Sequence, residues 1–350
     1  MTNLLADHTS FHVGGPAKRW VVATTEEQLV EAVDSVDQAS EPLLILAGGS
    51  NMLVGDAGFP GTVVPIATKG IHAHSSAGEL SKPACGGVIV DVAAGEVWDD
   101  FVALAVASEW RGLAPLSGIP GSVGATPIQN VGAYGSEVAN TISGVSAWDR
   151  FERRRRWFPL AECRFSYRDS IFKAQAARLV VLSVQFQFFQ GQNSLPIRYA
   201  ELASRLGIEV GQRAPMTQVR EVVLALRASK GMVLDEQDHD TWSAGSFFTN
   251  PVVDAEQAAT LPADAPRFAQ PDGTIKTSAA WLIERAGFTR GYGISERVTL
   301  STKHTLAITN RGGASTDDIL VLARQVRDGV EARFGVRLQP EPNLVNCSLD

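Results

Sequence analysis

Three observations predict an α+β fold for this chain of 350 residues. Apolar residues alternate along Ile142–Trp148 and Leu179–Phe189, the period of antiparallel strands. Amphipathic, capped stretches of helical period lie between strand-like runs. Beyond the polar segment Asp235-Glu236-Gln237-Asp238-His239-Asp240, a candidate domain boundary, the last third reads as alternating helix and strand. A chain of this length is expected to hold two or three domains.

A helix is predicted from about Glu26 to Val36, with Leu29, Val33 and Val36 on one face and Thr25 with Gln28 as a capping box. The apolar strand Leu43–Ala47 follows and runs into Gly48-Gly49-Ser50-Asn51, either a phosphate cradle or a plain hairpin turn. A strand at Val88–Val92 precedes a helix near Trp98–Trp110 with Phe101, Leu104 and Ala105 inward. After the two alternating strands, a helix spans about Gln218–Ser229. In the last third a helix near Ser278–Ala286 stops at Gly287, and a strand at Thr305–Thr309 leads into Asn310-Arg311-Gly312-Gly313. The clearest helix is Asp317–Phe334, with Ile319, Leu322, Ala323, Val326, Val330 and Phe334 on one face, Thr316 as cap and Gly335 as stop.

Net charge is −7, which argues against a nucleic-acid partner. The one basic run, Arg153–Arg156, reads as a solvated edge or as a phosphate patch. Cys85, Cys163 and Cys347 are far apart, without CxxC or metal spacing, so a reducing compartment is expected. His72 and His74 have no evident partner ligands, and no metal is expected. No apolar run approaches the ~18 residues of a membrane helix. The N-terminus lacks the basic start and apolar core of a signal peptide. No membrane insertion and a cytoplasmic location are expected.

The richest stretch is Gly112–Ser136, with six glycines, three prolines and no charge. Glycine lets backbone N–H groups approach a ligand closely, and successive free N–H groups bind anions. The stretch therefore reads as a backbone cradle for a large phosphate-bearing ligand. It is not a familiar cradle: no GxGxxG opens a helix after a strand, and no Walker lysine motif or GxSxG elbow occurs. Three further clusters carry chemistry. In Phe165–Ser170, Arg168 between Tyr167 and Asp169 is a carboxylate or phosphate clamp, or a structural ion pair. In Ala244–Pro251, Ser246 is set at a pocket floor or in a β-bulge. In Gln339-Pro340-Glu341-Pro342, the glutamate is rigidly placed, or lies in a solvated tail.

Five blocks together, LAGGSNMLV (46–54), SGIPGSVGATPIQNVGAYGSEV (117–138), FSYRDSIFK (165–173), SAGSFFTNP (243–251) and LQPEP (338–342), resemble the UDP-N-acetylenolpyruvoylglucosamine reductase family in content and order. The resemblance implies an FAD-binding domain of the vanillyl-alcohol-oxidase type in two α+β parts, residues 1–70 with 339–350 and residues 71–230. A substrate domain, residues 231–338, completes it. It implies non-covalent FAD held by Gly48, Gly49, Ser50, Asn51, Gly118, Ile119, Pro120, Gly121, Ser122, Gly124, Ala125, Thr126, Asn130, Gly132, Tyr134 and Arg227. NADPH is the implied hydride donor, and an enolpyruvyl UDP-sugar the implied substrate. No His or Cys lies in the glycine-rich stretches to bond a flavin. The segment Leu195–Leu202 resembles the family's tyrosine-bearing substrate loop, which makes Tyr199 its tyrosine. Lys230 and Asn250 match substrate contacts, and a monomer is expected.

The same resemblance assigns the chemistry to Arg168, Ser246 and Glu341. An enol ether accepts hydride when its carboxylate is polarised. Arg168 supplies fixed positive charge there. Glu341 must carry or share a proton, because an ionised glutamate repels the developing anion. Ser246 protonates C2, a plausible task for a weak acid when the acceptor is strongly basic and within ~3 Å. The alternative is another flavin oxidoreductase of the same fold.

Overall fold

The alternating runs are realised as neighbouring antiparallel strands, Ile142–Asp149 and Leu179–Phe189, paired from Leu179 opposite Asp149 to Phe186 opposite Ile142. This computed structural model describes residues 3–75 and 87–350; Cys85 lies outside the described residues. The chain divides into two compact units, one of Met1–Lys18, Gly49–Pro60 and Ser229–Asp350, the other of Arg19–Gly48 and Gly61–Ala228.

In the second unit, a five-stranded antiparallel sheet runs in the order Arg154–Pro159, Ile142–Asp149, Leu179–Phe189, Gly87–Ala93, Ile71–Ser75. Its central strands are covered on both faces. Val181, Val184 and Phe186 join the core under the Trp98–Ala107 helix, while Val180 and Leu182 pack with Leu29 and Val33 of the Glu26–Gln38 helix. That double burial explains the unbroken apolar run at the start of Leu179–Phe189. Thr25 caps the Glu26–Gln38 helix by accepting from the Gln28 N–H, but Gln28 reaches back to Thr24 rather than to Thr25, so the expected box is half formed. The next helix ends at Ala107, short of Trp110. Its buried face is Trp98, Phe101, Val102, Ala105 and Val106. That i, i+3, i+4, i+7 stripe leaves Leu104 38% exposed, contrary to expectation. Helices Ala200–Leu206 and Met216–Ser229 share a smaller core around Leu202, Val219 and Val223.

Arg154–Arg156 lie on the sheet's edge strand, with Arg153 in the turn before it, and acids pair with all four. Arg153 bonds Asp34 at 2.7 and 2.6 Å, Arg155 pairs with Glu26, Arg154 with Glu152 at 3.4 Å and Arg156 with Asp149 at 3.3 Å.

The first unit is built around the Thr316–Phe334 helix, whose Ile319, Leu322, Ala323, Val326 and Val330 are buried. Ser315 caps this helix, in a box with Asp318. The expected cap, Thr316, is instead the first helical residue, and its hydroxyl donates to the Val54 carbonyl at 2.5 Å. Asn343–Val345 pairs in parallel with Met52–Val54, which ties the C-terminal tail to an N-terminal segment. The expected strand Thr305–Thr309 is shorter and later, Ile308–Asn310.

The acidic segment is no loose linker. Asp240 accepts from the Thr302 N–H (2.9 Å) and from Arg311 (2.8 Å), and Lys303 bonds Asp238 at 2.5 Å. These pairs fold it onto its own unit, which takes in Ser229–Asp350. Cys163 is buried, which pushes its thiol up to about 12. Among the described residues, no helix is long and apolar enough to cross a membrane, and no group of three or more His, Cys, Asp or Glu residues is placed to hold a metal.

Candidate active site

The glycine-rich stretch folds as two 3-10 turns, Ala114–Leu116 and Val123–Ala125, and a small hairpin pairing Gly132–Ala133 with Ser136–Glu137. It meets the turn after Leu43–Leu46, where a Cβ on Gly48 would lie 2.7 Å from the Gly121 Cα. Gly118 and Gly121 have φ of +70° and +117°, which side chains rarely tolerate. Gly49, at φ +61°, passes so close to the His8 carbonyl that a Cβ would overlap it.

Several backbone amides of the stretch bond within the protein. Gly118 N–H donates to Asp99 Oδ1 at 2.6 Å, Val123 to the Glu96 carbonyl at 2.8 Å and Gly124 to the Ala94 carbonyl at 2.9 Å. Ala125 and Thr126 donate to the Ser122 and Val123 carbonyls, each at 3.1 Å. The Ser122 hydroxyl is different: it is buried, and no group among the described residues bonds it.

Asn130 is 1% exposed at φ +45°. Its side chain donates to Glu137 (2.9 Å) and to the Ser166 carbonyl (3.0 Å), and accepts from Ala139 N–H (3.2 Å). It thereby pins the Phe165–Ser170 loop to the glycine-rich stretch. Arg168 completes the joint, with Nη2 donating to the Gly132 carbonyl at 2.7 Å and Nη1 to the Asn130 carbonyl at 3.4 Å. Its guanidinium is 5.3 Å from the Tyr167 ring centroid. Asp169 pairs through its backbone with Ser166.

Tyr134, at the hairpin tip with φ +50°, meets Tyr199 edge to face, ring centroids 5.5 Å apart. Burial pushes the Tyr134 hydroxyl up to about 12 against the opposing charge of Arg227. Burial also lowers the Arg227 guanidinium, opposed by Tyr134 and Asp99. The residue missed in sequence is Asp99. It accepts from Arg220 at 2.7 and 2.8 Å besides Gly118. Burial raises its carboxyl, but these bonds outweigh that and hold it below the carboxylate range. Its only sequence signal is an acid in the first turn of the Trp98–Ala107 helix.

In the first unit, Ser246 and Glu341 come together along the backbone. Phe248 and Pro340 form an antiparallel bridge, Thr249 N–H donates to the Gln339 carbonyl (3.0 Å) and Glu341 N–H to the Phe247 carbonyl (2.9 Å). Asn51 Nδ2 donates to the Glu341 carbonyl at 3.4 Å. Both Ser246 and Glu341 are half-buried. Asn250 Oδ1 accepts from Ala279 N–H at 3.0 Å, capping the Ala279–Arg285 helix. Lys230 is half-buried after the Met216–Ser229 helix.

A model of the C-terminal domain of UDP-N-acetylenolpyruvoylglucosamine reductase matches residues 236–345, and an FAD-binding-domain model matches residues 17–150. The UDP-N-acetylenolpyruvoylglucosamine reductase of Cutibacterium acnes is 56% identical over 347 residues, covering 99% of this chain and 90% of that one. That of Salinispora arenicola is 52% identical over 354 residues, covering 99% and 95%. The solved UDP-N-acetylenolpyruvylglucosamine reductase of Thermus caldophilus covers 98% of this chain and 97% of its own, with a TM-score of 0.64 at 24% identity, a likeness of fold. The site fits a flavin dinucleotide on its own evidence too, through a cradle with no room for a Cβ at Gly48 and an unsatisfied buried hydroxyl at Ser122. The chain belongs to the UDP-N-acetylenolpyruvoylglucosamine reductase family.

Proposed function

We infer that this protein is the FAD-dependent oxidoreductase that reduces UDP-N-acetylglucosamine enolpyruvate to UDP-N-acetylmuramate with NADPH, in peptidoglycan precursor synthesis. The observation that carries this is relatedness along the whole chain, 56% identity over 347 residues. When bound, FAD would supply the redox chemistry for hydride transfer between NADPH and the enolpyruvyl group. The cofactor set is Gly48–Asn51, Gly118–Ser122, Gly124–Thr126, Gly132, Tyr134 and Arg227, with Asn130 in support.

The protein's own part is to polarise and to protonate. Arg168, fixed by the carbonyls of Gly132 and Asn130, has its charge oriented before substrate arrives, so little reorganisation is needed. Glu341 holds a proton shared with the substrate carboxylate, and Ser246 delivers one to C2. The backbone pairing of 247–249 with 339–341 supports this division by giving Ser246 and Glu341 a common rigid frame. Tyr199, Lys230 and Asn250 meet the UDP-sugar, Asn250 through its amide donors because its oxygen caps a helix. Functionally, residues 1–70 with 339–350 and residues 71–230 serve the cofactor, and 231–338 the substrate. The same reading places the enzyme in the cytoplasm as a monomer, serving cell-wall growth, shape and division.

Stopped-flow half-reactions test the roles. Ser246→Ala is expected to leave flavin bleaching by NADPH near the parent rate and to slow reoxidation by substrate by about 100-fold or more. Equal loss in both halves sinks the proton-donor role.

A further inference from the structure

We propose that the ion pair of Asp99 with Arg220 is a positioning device for the cofactor cradle, acting through Gly118. This rests on the reading above that Gly118–Ser122 lies against FAD. Three bonds converge on one carboxylate: Arg220 Nη1 at 2.7 Å and Gly118 N–H at 2.6 Å on Oδ1, and Arg220 Nη2 at 2.8 Å on Oδ2. They join the first turn of the Trp98–Ala107 helix, the glycine-rich stretch and the Met216–Ser229 helix.

The joint is placed where it matters. Gly118 at φ +70° and Gly121 at φ +117° flank Ile119-Pro120, and Gly121 meets Gly48 backbone to backbone. Gly118 and Gly121 have no side chains to hold their own conformation, and an unrestrained glycine gains more entropy than any other residue. A charged acceptor fixed from both sides restricts it without standing in the ligand's way. Charge-assisted bidentate bonds are the strong and directional kind. Arg227, two turns beyond Arg220 on the same helix, interacts electrostatically with both Asp99 and Tyr134. Tyr134 also packs against the core formed by Val219, Val223 and Leu226 of that helix, so one helix meets the glycine-rich stretch at Gly118 and at the hairpin tip.

The test is FAD binding to apoprotein, followed by flavin fluorescence, with thermal melts of each apoprotein alongside. Asp99→Asn and Arg220→Gln are each expected to weaken FAD binding about 10- to 100-fold, the scale of a lost charged hydrogen bond. The double variant is expected to be no weaker than the worse single, because both changes break one joint. Asp99→Glu restores binding to within about threefold of the parent if the Gly118 bond re-forms, whereas Arg220→Lys does not, because lysine has no fork. Parent-like affinity in Asp99→Asn overturns the proposal. So does additive loss in the double variant, or a loss matched by an equal drop in apoprotein stability that Asp99→Glu fails to repair. A parent that binds no FAD overturns the functional reading and this proposal together; a parent that binds it while both variants match it overturns the proposal alone.

Discussion

Asn130 sits at φ +45°, where asparagine is tolerated and alanine is strained. Its amide fills three hydrogen bonds while almost fully buried. From the sequence it reads as one more polar residue in a cofactor loop; in the structure it is the pin between that loop and the segment bearing Arg168. The distinction is testable. Asn130→Ala leaves the Ser166 carbonyl and Ala139 N–H without these partners, a cost of about 1–3 kcal/mol. The expected result is a melting temperature lower by several degrees and a fall in kcat for substrate, because Arg168 loses the Asn130 backbone position it bonds. A variant with parental stability and turnover removes the pin from the account.

At the level of elements, caps and faces were legible because they are local. Thr25, Leu29, Val33 and Val36 stand as the spacing predicts, and Gly335 ends the last helix in the left-handed region. Errors came where a neighbour decides. Leu104 has the right chemistry for burial but falls off the stripe, and Thr316 gives its hydroxyl to Val54 while Ser315 takes the cap. Strand order and the Asp99–Arg220 joint were not legible, since both depend on side chains that meet across distant parts of the chain. The five motif blocks carry the family resemblance without showing which amides are already bonded. The turn at Gly48 joins the two kinds of knowledge, since the sequence marks it and packing explains it. Gly48→Ala drives a Cβ against the Gly121 backbone, which has no flexible end to yield. The expected outcome is a folded protein, unchanged in far-ultraviolet circular dichroism, purified with less than about a tenth of the parent's flavin. Full flavin content in that variant excludes a tight Gly48–Gly121 contact at the cofactor.

Across the whole molecule, folded carboxylates are held below their ordinary range in both units, Asp149 and Asp99 in one and Asp240 in the other. Asp149 is the strongest case. Its side chain is fully buried, accepts from Arg178 at 2.9, 3.0 and 2.6 Å, and takes the Phe151 and Glu152 N–H groups at 3.1 Å each. Arg178 is the first cause of its lowered carboxyl. A depressed folded value means that the unfolded chain binds the proton first as pH falls. The stabilisation from Asp149 is therefore complete above the unfolded carboxylate value of about 3.9 and is lost progressively below it. Asparagine at this position cannot titrate and cannot satisfy Arg178. Asp149→Asn is thus expected to be less stable than the parent at pH 7. Its stability should also fall less steeply with acid, by up to about 1.4 kcal/mol per pH unit for the one missing proton. Urea unfolding at intervals from pH 7 to pH 3 measures both. Parallel curves for parent and variant over the acid range contradict the assignment of acid sensitivity to this carboxylate. Curves that converge as pH falls identify the Asp149–Arg178 turn as one of the places where acid opens the fold.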